Sequence, residues 1–181
     1  MDNGASSYRR YLNGDEDAFG ELVKEYFDNL VFFVNRFVQD YEVAEDIALD
    51  VFTRLVVDKH RYNFRVAFKT YLFMLGRSRA LDYIKHQKRH SSVPLSEVAE
   101  LADEAPTPEE KLLADQRKRA VHQALEQLSE EMRLVVHLTY FEELSADDVA
   151  KVLKKNRKQI YNLLYRAKNI LRTVLWEEEQ L

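Results

Sequence analysis

All three prolines of this 181-residue chain, Pro94, Pro106 and Pro108, fall within fifteen residues of one another. Proline lacks an amide donor and breaks helix interiors. With only four glycines in the whole chain, little on either side of that window interrupts long helices. The window is also acidic and free of aromatic residues, so it reads as a linker rather than packed structure. The division it sets is 1–90, a linker at 91–108, and 109–181. At this length, two small domains are an ordinary outcome.

Apolar spacing on both sides is helical. Phe19, Leu22, Val23, Tyr26, Leu30, Val34, Phe37 and Val38 recur at steps of three and four, the signature of one buried helix face. Gly14-Asp15 marks the start of that helix. A second has Ala44, Ile47, Ala48, Val51, Phe52 and Leu55 on one side. A third, over about 67–89, places Phe68, Leu72, Leu75 and Leu81 inward. After the linker, Thr107-Pro108 suits the start of a helix. Ser129 and Ser145 read as N-caps of two more, the latter with Asp148 three residues on. The polar turn Lys154-Lys155-Asn156 then leads into a last helix with Ile160, Leu164, Ala167, Leu171 and Val174 inward. The expected fold class is all-α: two small helical domains joined by a Pro/acidic linker, the C-terminal one with a helix-turn-helix.

Composition excludes several function classes. The chain has no cysteine, which removes disulfides, thiolate catalysis and cysteine-ligated zinc. Phosphate-cradling glycine loops are absent. The longest apolar run, Leu30 to Val34, falls far short of the roughly 20 residues that cross a bilayer, and no signal-peptide pattern opens the chain. The formal net charge of −4 argues against a nucleic-acid partner until it is resolved along the chain. Residues 15–58 sum to −9, 59–90 to +8, 91–115 to −6 and 151–172 to +8. Two basic blocks separated by acidic ones indicate separate binding faces.

With Ile160, Leu164, Ala167 and Leu171 inward, Arg157, Lys158, Tyr161, Asn162, Tyr165, Lys168 and Arg172 face outward. That set offers cations for phosphates together with amide and phenol groups for base edges. The first basic block interleaves Lys59, Arg61, Arg65 and Lys69 with Tyr62, Phe64, Phe68, Tyr71 and Phe73. Rings among cations suit unpaired DNA, where bases stack and cations follow the backbone. Phe68 reads as core, and Tyr62, Phe64 and Tyr71 as stacking candidates. On the second helix, Glu45, Asp46 and Asp50 lie opposite the apolar stripe. No nucleophile, histidine or glycine loop accompanies these carboxylates, so an acidic docking face for a basic protein is the expectation, not catalysis. His86 and His90 are spaced i, i+4 but lack companion ligands. No enzyme activity, cofactor or metal is expected.

Asp17-Ala18-Phe19, Ala44-Glu45-Asp46-Ile47, Asp50-Val51-Phe52, Phe68-Lys69-Thr70-Tyr71-Leu72 and Ala80-Leu81-Asp82-Tyr83 resemble region 2 of extracytoplasmic-function (ECF, group IV) RNA polymerase sigma factors. Ala124-Leu125-Glu126-Gln127-Leu128, Arg133, Leu144-Ser145, Val149-Ala150 and Tyr165-Arg166-Ala167-Lys168 resemble their region 4. The resemblance implies that Glu45, Asp46, Asp50 and Arg54 dock on the β′ clamp helices of core polymerase. It implies that Arg61, Tyr62, Phe64, Arg65, Lys69, Tyr71 and Ser78 hold the −10 element. Arg157, Lys158, Tyr161, Asn162, Tyr165, Arg166 and Lys168 would read the −35 element. The β flap would be a second polymerase contact, and an anti-sigma factor, membrane-tethered, a regulator. The chain itself would stay in the cytoplasm without entering a membrane. Three positions depart from the family pattern: Tyr71 stands where Trp is usual, Leu75-Gly76-Arg77-Ser78 replaces Ile-Ala-x-Asn, and Lys154-Lys155-Asn156 replaces a Gly-containing turn. A helix-turn-helix activator that binds DNA without polymerase is the alternative. It would need a receiver with strands, against the helical periodicity of 15–89.

Overall fold

The computed structural model describes residues 3–90 and 124–178, and their side chains over 4–89 and 124–173. The linker at 91–108, the helix expected after Thr107 and the Val174 side chain lie outside the described residues. Every regular element described is helical. The described residues fall into two units, 3–90 with 144–156, and 124–143 with 157–178.

In the first unit, α1 (Asn3–Leu12), α2 (Asp17–Val38), α3 (Tyr41–Val57) and α4 (Phe68–His90) pack together. The Asp15 carboxylate accepts from the Ala18 amide at 3.3 Å, which caps the start of α2. Gln39 ends that helix in the left-handed conformation (φ 54°) with its amide on the Asn35 carbonyl. Asp40 then accepts from the Val43 amide at 3.1 Å and starts α3. The chain therefore reverses in two residues, which sets α2 and α3 side by side. Leu22, Leu30, Phe33 and Val34 of α2 meet Val51 and Leu55 of α3 and Phe68, Leu72 and Phe73 of α4 in the core. Gly76 allows α4 to lie close to α2, because a Cβ there would sit 2.7 Å from Leu30 Cδ1. Leu81, expected inward, is 39% exposed: it sits one position past the buried Ala80, beyond the reach of the α2 face.

The sequence reading did not anticipate α1. Gly4 brings it down directly on α4, with the position of a Cβ only 2.8 Å from the Phe68 ring. One turn later Tyr8 is wholly buried.

In the second unit, α5 (Glu130–Val136) starts where Ser129 Oγ accepts from the Met132 amide, as expected. It runs into a π-helical turn, His137–Phe141, and packs against α7 (Arg157–Glu178). Ile160, Leu163 and Ala167 are the buried residues of α7. Leu164 and Leu171, expected fully inward, are only half-buried, because Leu163 takes the central position of that face.

Preceding α7 in the chain is α6 (Ala146–Leu153), capped by Ser145 Oγ on the Asp148 amide at 3.2 Å. Burial alone would raise the Asp148 carboxyl, but hydrogen bonds from Ser145 and Lys151 outweigh it and hold the carboxyl below its usual range. The turn to α7 follows, and Lys154 adopts the left-handed conformation there (φ 53°). A side chain in that region costs roughly 1–2 kcal/mol that glycine avoids. Lys154→Gly should therefore raise stability by about 0.5–1 kcal/mol after the entropic cost of glycine, read as an upward shift of the urea midpoint.

Candidate nucleic-acid and polymerase interfaces

The segment between α3 and α4 is built from local hydrogen bonds. The Arg61 amide donates to the Asp58 carbonyl at 2.9 Å. Asn63 Oδ1 accepts from the Arg65 amide at 3.1 Å, an Asx turn. The Tyr62 hydroxyl donates to the Val66 carbonyl at 2.7 Å. Between those ties Phe64 is forced to φ 60°, a region that a bulky side chain occupies only when its surroundings hold it there.

The surroundings are aromatic. Tyr62 stacks on Tyr71 with centroids 5.0 Å apart and meets Phe64 at 4.5 Å. Tyr8 from α1 contacts Tyr62, Phe68 and Phe64 at 5.6, 5.4 and 6.3 Å. The Tyr8 hydroxyl lies 2.9 Å from both the Leu55 and Lys59 carbonyls, at the C-terminal end of α3. Burial first, then the neighbouring Tyr11 and Tyr71, pushes its pKa up to about 12.

This arrangement corrects one expectation. Tyr62, expected as a stacking ring, is only 2% accessible. Its ring fills the space between Tyr8, Phe68 and Tyr71 and supports Phe64 from below. Phe68 is core, as read from the sequence. Phe64 and Tyr71 are partly accessible, while Arg61 and Arg65 are exposed. Arg61 sits 3.5 Å from Asp58. Lys69 is half-buried at the start of α4, and Ser78 lies exposed two turns beyond Tyr71.

On α3, Asp46 and Asp50 are exposed and Glu45 half-exposed. Asp50 is engaged: Arg54 Nε lies at 3.0 Å and Arg79 Nε at 3.3 Å. It thus ties α3 to α4, whereas Glu45 and Asp46 present the acidic charge. Between them and Asp50, Leu49 is 54% exposed, an apolar element of this face that charge counting missed. Its own sequence signal was an apolar residue off the buried stripe.

Along α7, Arg157, Lys158, Tyr161, Asn162, Tyr165, Arg166 and Lys168 are all exposed. The Arg157 guanidinium donates to the Tyr161 hydroxyl at 3.1 Å and lies over its ring. Tyr165 is 70% exposed. The π-turn leaves Tyr140 and Phe141 outside as well. Helical periodicity does not reveal either, because a π-turn shifts side chains off the 3.6-residue period.

The described residues thus carry an acidic face on α3, an aromatic and basic loop before α4, and a basic face on α7. Residues 22–90 match the model described as Sigma-70 region 2, and residues 118–171 match Sigma-70, region 4. Two regions of one family thus take in about two-thirds of the chain, which belongs to the sigma-70 family. Several of the curated relatives that it matches are ECF RNA polymerase sigma factors. The RNA polymerase sigma-H factor of Pseudomonas aeruginosa is 28% identical over 170 residues, covering 90% of this chain and 88% of the relative. The ECF RNA polymerase sigma factor SigW of Bacillus subtilis is 24% identical over 175 residues, covering 92% and 94%. Among solved structures, the sigma factor RpoE bound to the anti-sigma factor NepR from Bartonella quintana shares the fold. Its TM-score is 0.65 at 20% identity, with 87% of this chain and 96% of that one covered. Proteins of this family initiate transcription and are not catalytic enzymes.

Two measurements check the assignment of rings to core and surface. Tyr62→Ala should cost about 3 kcal/mol in urea unfolding, as buried aromatic truncations do, whereas Tyr165→Ala should stay within about 0.5 kcal/mol. A tyrosine ionises near pH 10 in an unfolded chain, and Tyr8 at about 12 in the fold. The folded state therefore holds that proton more tightly, and stability should fall as pH rises from about 10 to 12. Tyr8→Phe should remove that part of the decline, measured as unfolding free energy against pH.

Proposed function

We propose that the chain acts as a group IV sigma factor with the work divided along its length. Residues 1–90 grip core polymerase and the melted −10 element, residues 91–108 connect, and residues 109–181 read the −35 element as duplex. Glu45, Asp46, Asp50 and Arg54, around Leu49, form the docking face for the β′ clamp helices. Arg61, Phe64, Arg65, Lys69, Tyr71 and Ser78 hold the −10 strand, with Tyr62 supporting them from beneath. Arg157, Lys158, Tyr161, Asn162, Tyr165, Arg166 and Lys168 contact the −35 duplex. Tyr140 and Phe141 offer the β flap an apolar contact.

The observation that carries the reading is the order of the two matched regions, each with a basic segment of its own and the first with an acidic helix face as well. Charge segregation also explains why a chain of net charge −4 needs polymerase. Each basic surface alone makes a modest, salt-sensitive DNA contact. Polymerase fixes their spacing and so raises the effective concentration of the second contact.

The proposed site of action is the cytoplasm, where polymerase and promoters are found, and among the described residues no helix is long and apolar enough to cross a membrane. An anti-sigma factor is the proposed regulator. Structures with a similar fold include CnrH in complex with the cytosolic domain of CnrY, at a TM-score of 0.59 and 20% identity, covering 96% of this chain and 94% of that one. A membrane-tethered inhibitor would act by covering the polymerase or DNA faces.

The test is transcription with purified core polymerase on a genomic fragment library. Glu45→Lys with Asp46→Lys should weaken core binding by at least about 10-fold, in the range of interfacial charge pairs. Asn162→Ala or Tyr165→Ala should lower initiation about 5- to 100-fold at −35-dependent promoters, as lost base contacts do, with core binding intact. Tight duplex binding without polymerase would instead support an independent activator.

A further inference from the structure

The region 2 match begins at residue 22, so α1 lies outside it. Yet α1 packs against the strained loop. Arg9 is exposed, and its guanidinium carbon lies 4.6 Å above the centroid of the Phe64 ring. The next residue, Arg10, is engaged by Asp15 and Glu21. No carboxylate among the described residues pairs with Arg9.

The rings and the cation form one run of contacts: Tyr71 stacked on Tyr62, Tyr62 tilted against Phe64, and Arg9 over Phe64. It ends in a guanidinium, not a phenyl ring. A cation–π contact uses the flat face of the guanidinium, which leaves the in-plane N–H donors available. Those donors suit a phosphate, and the outer face suits an unstacked base. The Tyr8 hydroxyl ties the end of α3 to the start of the loop through the Leu55 and Lys59 carbonyls.

We propose that α1 is a working part of the single-strand interface, in which Arg9 contacts the melted −10 strand and Tyr8 is a positioning residue that holds Phe64 and Arg9 in place. The proposal rests on the reading of 58–67 as the −10 loop. It explains why Phe64 is kept at φ 60°: the left-handed residue turns its ring toward α1, where Arg9 and Tyr8 fix it. Strain held in this way pre-organises a binding surface.

The experiment uses the full chain assembled with core polymerase. A fluorescent fork-junction promoter probe carries the −10 non-template strand unpaired, and a fully duplex probe serves as comparison. Affinity is measured across a salt series, and core binding separately for each variant. Arg9→Ala should weaken binding to the unpaired probe about 3- to 10-fold, as loss of a partly desolvated cation does. It should also reduce the salt slope by about 0.7, the value for one phosphate contact on a single strand. Core affinity should not change. Arg9→Lys should restore the slope but not the full affinity, because an ammonium keeps the charge and loses the planar stack. Tyr8→Phe should weaken the same binding at an unchanged slope. Wild-type affinity and slope in Arg9→Ala would overturn the proposal, whatever Tyr8→Phe does to stability. A wild-type holoenzyme that shows no preference for the unpaired probe would overturn the −10 reading beneath it.

Discussion

The first unit depends on how one buried hydroxyl is satisfied. Tyr8 has no access to solvent, and a buried phenol without an acceptor is costly. Its partners, the Leu55 and Lys59 carbonyls, stand at the C-terminal end of α3, where helix carbonyls lose their intrahelical donors. One contact thereby meets the needs of both sides and brings three parts of the chain together: α1, the end of α3 and the loop leading to α4. The ring of the same residue packs on Phe68 and Tyr62, so the loop inherits the rigidity of the core.

In the proposed reading of the loop, that coupling links packing to recognition. A single strand of DNA is flexible, and capturing it is cheaper when the protein surface is already ordered. Phe64 is held against its backbone preference by rings that are themselves core residues. The acidic face of α3 lies on the next element along, and Asp50 joins it to α4 through Arg79. The acidic face and the aromatic, basic loop of this unit thus share one set of helices. The second unit uses a simpler device. Burying Ile160, Leu163 and Ala167 turns two tyrosines, an asparagine and several cations to the other side of α7.

Much of this was legible in the residues. Helix periodicity located α2, α3, α4 and α7, and Ser129 and Ser145 marked two starts as N-caps. The exposed set on α7 followed from its buried face. The misses have physical causes. Ten residues with Tyr8 and Tyr11 as their anchors give too short a period to declare a helix, so α1 and Arg9 were invisible. Tyr62 looked like its neighbours in a basic, aromatic stretch, and nothing in that pattern separates a supporting ring from an exposed one. The π-turn at His137–Phe141 breaks the period on which the reading relied. Leu49 was masked by the acids around it.

The sequence by itself determined the helical class, the placement of breakers between two halves, the alternation of charge, and the two ordered motif sets that identify the family. Those properties are written in nearest neighbours and in spacings of three and four, which local backbone geometry converts directly into faces. Only tertiary structure decided which rings of the 58–67 loop are accessible, that Asp50 is shared between α3 and α4, and that α1 closes over the loop. Each of those depends on residues about 30 to 60 positions apart meeting in a core. Contacts at that separation are set by how helices pack, and one-dimensional spacing carries no trace of them.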